Sequence, residues 1–278
     1  MSEKQARILK IKSHHRISPY LQECCLRVSA NVSYKNAAQD VERYTGIKVS
    51  EKTQQRLVHR HQFPEHNCSQ SVSEVSVDGG KVRLRTQERG EPCIWRDYKA
   101  VCLHPQARMA WFQENEILIE WVNHQPLENL FSCVGDGHSG IGNLVKRFNP
   151  QGQRREILDW FHLVENLHKV GGSNQRLEQA KSLLWQGKVD ETLAWFSPLK
   201  KKQAQNFCTY LENHRDRIIN YDYYQSENIC AIASGAVEST VKQIDRRLKI
   251  SGAQWNLENV PQVLKHRCAY LNNTLLAK

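Results

Sequence analysis

No stretch of the 278-residue chain approaches the ~18 consecutive apolar residues of a membrane-spanning helix, so a helical membrane protein is excluded. The opening residues, MSEKQARILKIKSHHR, are basic but lack the apolar core and small-residue cleavage site of a secretory leader. A cytoplasmic location is expected. No CxxC pair occurs among the nine cysteines, which are scattered along the chain. Zinc fingers need closely spaced ligand pairs and disulfide frameworks belong to small secreted domains, so buried, reduced thiols are expected. Internal repeats and low-complexity tracts are also missing.

What is present is ordinary globular composition, 40% hydrophobic and 24% charged, in a chain long enough for one catalytic domain plus a small module. The net charge of +10 is unevenly spread. Residues 1–74 hold 12 Lys/Arg against 7 Asp/Glu, residues 75–237 hold 20 against 19, and residues 238–278 hold 7 against 3. The excess sits at the two ends, which fits a polyanionic partner touching both, because clustered cations displace phosphate counterions.

The first segment, 1–62, reads as a helical module. Ala37 and Val41 make an apolar stripe, Gly46 permits a turn, and Ser50 caps a second helix on which Thr53 and Leu57 share a face. Lys52, Gln55, Arg56 and His59 then point elsewhere, as on the recognition helix of a helix-turn-helix. A plain helical hairpin with a charged face is the other reading. Residues 63–74 are polar and read as a linker.

From Val72 the period becomes two. VSEVSVD and KVRLRT read as strands around a DGG hairpin turn, with YKAVCLH a third. ENEILIEWVNH is a helix, LFSCVGD a fourth strand, SGIGNLVKRF a helix and EILDWFH a fifth strand. Residues 163–228 carry helical signals only. Residues 229–278 contain SGAVESTVKQIDRRLKIS, where Val237, Val241, Ile244 and Leu248 form one helical stripe. Three antiparallel strands followed by alternating helices and strands give an α/β, RNase H-like mixed five-stranded sheet. Its two parts, 75–162 and 229–278, flank an α-helical insertion at 163–228.

Three acids fall at matching places. Asp78 ends the first strand, Asp136 ends the fourth between two glycines, and Glu238 lies early in the last helix. Mg²⁺ prefers carboxylate oxygens and keeps open positions for phosphate, and a pair of such ions about 4 Å apart serves in-line phosphodiester chemistry. Each acid alone also fits a structural role: turn aspartate, loop aspartate, helix-dipole partner. Asp159 and His162 of DWFH offer auxiliary metal, DNA or proton contacts, or else Asp159 caps the helical block. Along the last helix Lys242, Arg246, Arg247 and Lys249 present cations for phosphate. Trp255 offers a base-stacking surface or a buried ring.

The strings VSVDGGKVRLRT, WRDYKAVCLH, GDGHSGI, ILDWFHLVENLHKVGG, SGAVESTVKQIDRRLKISGAQWN and ENVPQVLKHRCAYLN resemble bacterial insertion-sequence transposases of the ISKra type, across nearly all of Val72–Leu275. The resemblance implies a DDE transposase whose triad is Asp78, Asp136 and Glu238, with Asp159 and His162 in a shared Asp-x-x-His motif. It implies two divalent cations (Mg²⁺, with Mn²⁺ as substitute) and DNA partners, namely terminal inverted repeats and target DNA. A homodimer or higher synaptic oligomer and association with the nucleoid follow from the same likeness. Family members are often longer at the N-terminus, which leaves open a copy shortened at its front. Another RNase H-like nuclease and a catalytically inactive, DNA-binding remnant are the rival readings.

Overall fold

The computed structural model describes residues 17–86, 88 and 90–275 together with Gln5; the remainder of the opening segment read above lies outside the described residues. From residue 17 on, the described chain opens with three short helices: α1 (Pro19–Ser29), α2 (Tyr34–Thr45) and α3 (Glu51–Arg60). A serine starts each of them. The hydroxyls of Ser18, Ser33 and Ser50 accept from the N–H of Leu21, Asn36 and Thr53, satisfying donors that have no partner within the helix. Gly46 closes α2 at φ 71°, a left-handed conformation that costs glycine little. α2 and α3 form a helix-turn-helix, with Leu21, Cys25, Val41 and Val49 as its small core.

Three side chains from the C-terminal region hold this module down. Arg247 Nε donates to Ser29 O at 2.7 Å, Arg267 Nη1 to Ala30 O at 3.0 Å, and His266 Nε2 lies 2.8 Å from Leu26 O. These carbonyls belong to the last turn and cap of α1, where the helix dipole is negative; Leu26 O already accepts from Ala30 N–H, while those of Ser29 and Ala30 lie past the last intrahelical donor. The segment read as a linker is also tied in. Phe63 is buried, Cys68 N donates to Gln125 Oε1, and Gln125 Nε2 donates to Asn67 Oδ1.

The sheet comprises β1 (Val72–Leu84), β2 (Ile94–His104), β3 (Ala107–Phe112), β4 (Leu127–Gly135) and β5 (Gln153–Leu158), in the order β3-β2-β1-β4-β5. β1, β2 and β3 run antiparallel, while β4 and β5 lie parallel to β1. Helices α4 (Asn115–Asn123) and α5 (Ser139–Val145) occupy the connections around β4. This is the α/β, RNase H-like arrangement.

Three strand assignments change. EILDWFH divides at Asp159: its front half ends β5, and Trp160–His162 open a helix that Asp159 caps. VSEVSVD and KVRLRT are one continuous strand, because neither Gly79 nor Gly80 takes the positive φ a two-residue hairpin turn needs. Gly80 is there for packing: a Cβ on it would overlap the ring of Tyr98 on β2. The third strand of the meander is ARMAWF, which the two-residue pattern did not mark. Five of its six residues are buried, since Trp111 meets Trp121 of α4 while its neighbours face the final helix. A strand covered on both faces loses its alternation.

After β5 the chain is helical: α6 (Trp160–His168), α7 (Asn174–Trp185), α8 (Val189–Phe196), α9 (Lys202–Asn213) and α10 (Tyr221–Ser226). They enclose a second core around Leu163, Leu167, Leu184, Phe207 and Leu211, with Trp160, Trp185 and Tyr221 packed ring against ring. α11 (Gly235–Leu248) then lays its Val237–Val241–Ile244–Leu248 stripe on β1 and β2, and α12 (Val260–Leu271) covers β3. No described helix is long and apolar enough to cross a membrane.

Candidate active site

The site starts from strand register. In the parallel pair β1–β4, Glu74 faces Ser132, Val75 faces Cys133 and Ser76 faces Val134, a constant offset of 58 residues. The ladder stops at Ser76 and Val134, and just beyond it Asp78, still on β1, and Asp136, directly after β4, both turn into one cleft. Glu238 comes in from the first turn of α11, whose buried stripe fixes the helix on β1. Asp78, Asp136 and Glu238 thus line one cleft of about 240 Å³, together with Val77, His162, Ser234, Val241 and Lys242.

Charge is crowded there. Burial raises the Asp78 carboxyl above its ordinary value, and the nearby charges of Asp136 and Glu238 push the same way. The 2.6 Å bond from Gly79 N–H to Asp78 Oδ1 and the proximity of His162 oppose this without cancelling it. Lys242 Nζ stands 3.7 Å from Glu238 Oε2 at the exposed rim. Lys99 passes over Gly79, where a missing side chain leaves it room.

Behind the cleft lies a rigid support. Asp159 directly follows β5 and caps α6, fully buried, with Oδ1 accepting from His162 N at 2.8 Å and lying 3.1 Å from its Nδ1. Its Oδ2 accepts from Ser234 N at 2.5 Å and from Ser234 Oγ at 2.8 Å. Burial alone would raise this carboxyl, but the backbone donors and the Ser234 hydroxyl outweigh it and hold Asp159 below the usual range. Ser234 Oγ is also 3.1 Å from Glu238 Oε1, so one hydroxyl proton stands between two carboxylates.

Among the described residues, the grouping of three ligand types with donor atoms all within 4.8 Å of one another is Asp159, His162 and Glu238. Asp159 has both oxygens engaged and no exposed surface, which suits a scaffold better than an open ligand. The chemistry of the donor set in the cleft is different: Asp78, Asp136 and Glu238 are partly exposed carboxylates, one of them carrying a cost that a cation would relieve. That set fits hard divalent ions.

Two glycines flank Asp136. Gly137 has φ 87°, and a side chain there would meet His214 Nε2 and Leu158 Cδ1 at 3.0 Å. His214 follows α9, so the helical segment reaches the edge of the acidic cleft. The N–H of His138 donates back to Asp136 Oδ1 at 2.8 Å, fixing that carboxylate's direction.

The cationic set divides. Lys52, Gln55 and Arg56 are exposed on α3, with His59 half-buried against the Tyr34 ring. Lys242 and Arg246 are exposed on α11, and Lys249 pairs with Asp245 at 2.6 Å. Arg247 is not available to phosphate. It is 2% exposed, bonded to Ser29 and sandwiched between the Tyr34 and Trp255 rings at 4.9 Å from each. Trp255 is likewise structural: its indole N–H donates to Leu248 O, and its backbone bridges to β1 through Arg83 and Arg85. Helical spacing placed Arg247 near Lys249 but did not reveal that α1 covers it. Ser234 went unmarked, although its place one helical turn before Glu238 is visible in SGAVES.

No family model matches the chain, and no curated protein does. Among solved structures the chain is similar to the Drosophila P element transposase strand transfer complex, at 12% identity and a TM-score of 0.38, over 99% of this chain and 83% of that one. A likeness that loose carries no weight for fold or activity.

Proposed function

We propose that the protein is a DDE transposase of the ISKra insertion-sequence type, cutting DNA at the element's ends and joining them to target DNA. One observation carries the reading: three carboxylates far apart in sequence, on β1, β4 and α11, line the same partly buried cleft. A hydrolase using a general-base dyad has no need of a third acid there, nor of glycines on both sides of the second.

Asp78, Asp136 and Glu238 would hold two Mg²⁺ ions, which supply Lewis-acid activation of water or a 3′-hydroxyl and stabilise the departing oxygen. The chain's own residues do the rest. Asp159 and Ser234 keep the start of α11 against β5, so Glu238 is aimed before any ligand arrives. His138 N–H orients Asp136, and Lys99 and Lys242 offer cations to phosphate oxygens at the cleft. Lys52, Gln55 and Arg56 on α3 would read the inverted repeat, and two copies of the chain would hold two ends.

Asp136→Asn should abolish Mg²⁺-dependent cleavage of end-containing DNA while leaving binding of that DNA in place. Full cleavage by this variant ends the proposal. An assay for strand joining separates a transposase from a nuclease that only cuts. Inverted repeats bracketing the gene, with short direct duplications outside, would establish the insertion-sequence origin independently.

A further inference from the structure

β1 pairs with β4 only as far as Ser76, and next meets a neighbour on that side near Arg83, where Trp255 bridges to it. Between these points its edge is unpaired, and a groove of about 510 Å³ runs there. Gly79, Gly80, Lys81, Trp95, Val241, Asp245 and Lys249 line it. Val241 also lines the acidic cleft, so the two cavities share a wall. Trp95, opposite Arg83 in the β1–β2 register, is 45% exposed, a large apolar area for a tryptophan to leave in water on a ribbon tip. Lys81 is exposed beside it, and the two glycines keep the floor free of side chains.

We propose that this groove takes the unpaired segment of a DNA strand next to the cleaved phosphate, with one base stacked on Trp95. This rests on the reading of the acidic cleft as a phosphodiester-cutting site. An exposed indole beside lysines, at an open strand edge, matches how unpaired nucleic acid is held: bases stack on aromatics while cations follow the backbone. A double-stranded segment keeps its base faces covered and has nothing to offer the ring. Asp78 and Arg83 are five residues apart along β1, about 16 Å. The stacked base therefore lies within about five nucleotides of the cut, taking ~3.4 Å per nucleotide as the smallest spacing.

The test uses the full chain without divalent metal and a DNA duplex ending in a single-stranded tail that carries 2-aminopurine at successive positions. The wild-type chain should quench the probe at one or two adjacent positions. Trp95→Ala should lose that quenching and weaken tail binding about five- to hundredfold, the range for one lost base–aromatic stack, while Trp95→Phe should restore most of both. Unchanged affinity and quenching in Trp95→Ala would overturn the proposal. Asp136→Asn should stack like wild type. Metal-dependent cleavage by wild type, with a Trp95→Ala profile identical to it, sinks the groove alone. Stacking without any cleavage sinks the cutting site alone.

Discussion

The Asp78 carboxyl is raised above its ordinary value by burial and by two neighbouring acids, and this has a consequence for stability. Because the folded value exceeds the unfolded one, the native state binds more protons between them, and stability falls as pH rises through that window. Above it the charged Asp78 is a standing cost. Asp78→Asn should therefore raise the Tm of the metal-free protein at neutral pH, with the gain vanishing in acid where both forms are neutral. Mg²⁺ should raise the Tm of wild type and leave that of the variant nearly unchanged. A variant melting below wild type at neutral pH would contradict this account. Asp159 shows the opposite treatment of a buried acid: its four donor contacts hold it ionised and leave it no open position.

At the scale of elements, β1 carries both the centre of the sheet and one wall of the site. Gly79 and Gly80 within it look alike in sequence and differ in consequence. Gly80→Ala drives a methyl into the Tyr98 ring, which is itself held by a 2.8 Å bond to Asp245, and should cost about 1–3 kcal/mol. Gly79→Ala meets mainly the movable end of Lys99 and should stay within about 0.5 kcal/mol. Urea denaturation of both variants distinguishes them, and equal losses would restore a backbone reason for the pair. The same strand marks what could be read from residues alone. Alternation in VSEVSVD and KVRLRT was visible, but the DGG between them imitated a turn, since packing against Tyr98 and turn-making both select glycine. ARMAWF was hidden by its coverage on both faces. The apolar stripe of α11 was legible because helical spacing survives burial of one side. The burial of Arg247 was not, because a partner 218 residues away in sequence decides it.

At the scale of the molecule, the front module and the sheet meet through buried donors. His266 uses Nε2 on Leu26 O, while its Nδ1 is buried with no hydrogen-bond partner. Burial lowers its pKa from 6.5 to about 3. Protonation would put an unpaired N–H and a charge beside Arg247 and Arg267. Here the unfolded chain binds the extra proton, so stability present above pH 6.5 is lost progressively as pH falls toward 3. Replacing His266 with Gln should flatten that acid limb in denaturation curves taken at several pH values. An unaltered limb would assign it to other groups.

The clamp on α1 has a geometric meaning as well. Glu238 and Arg247 sit nine residues apart on one straight helix, about 14 Å at 1.5 Å per residue. One end faces the cleft and the other grips the front helical module. Under the proposed activity α11 is thus a ruler, and the cut falls at a distance set by protein rather than by base sequence. Spacer base pairs placed between the recognised repeat and the natural cut should leave the cleavage position measured from the repeat unchanged, and a cut that travels with the original phosphate would show that no such ruler operates.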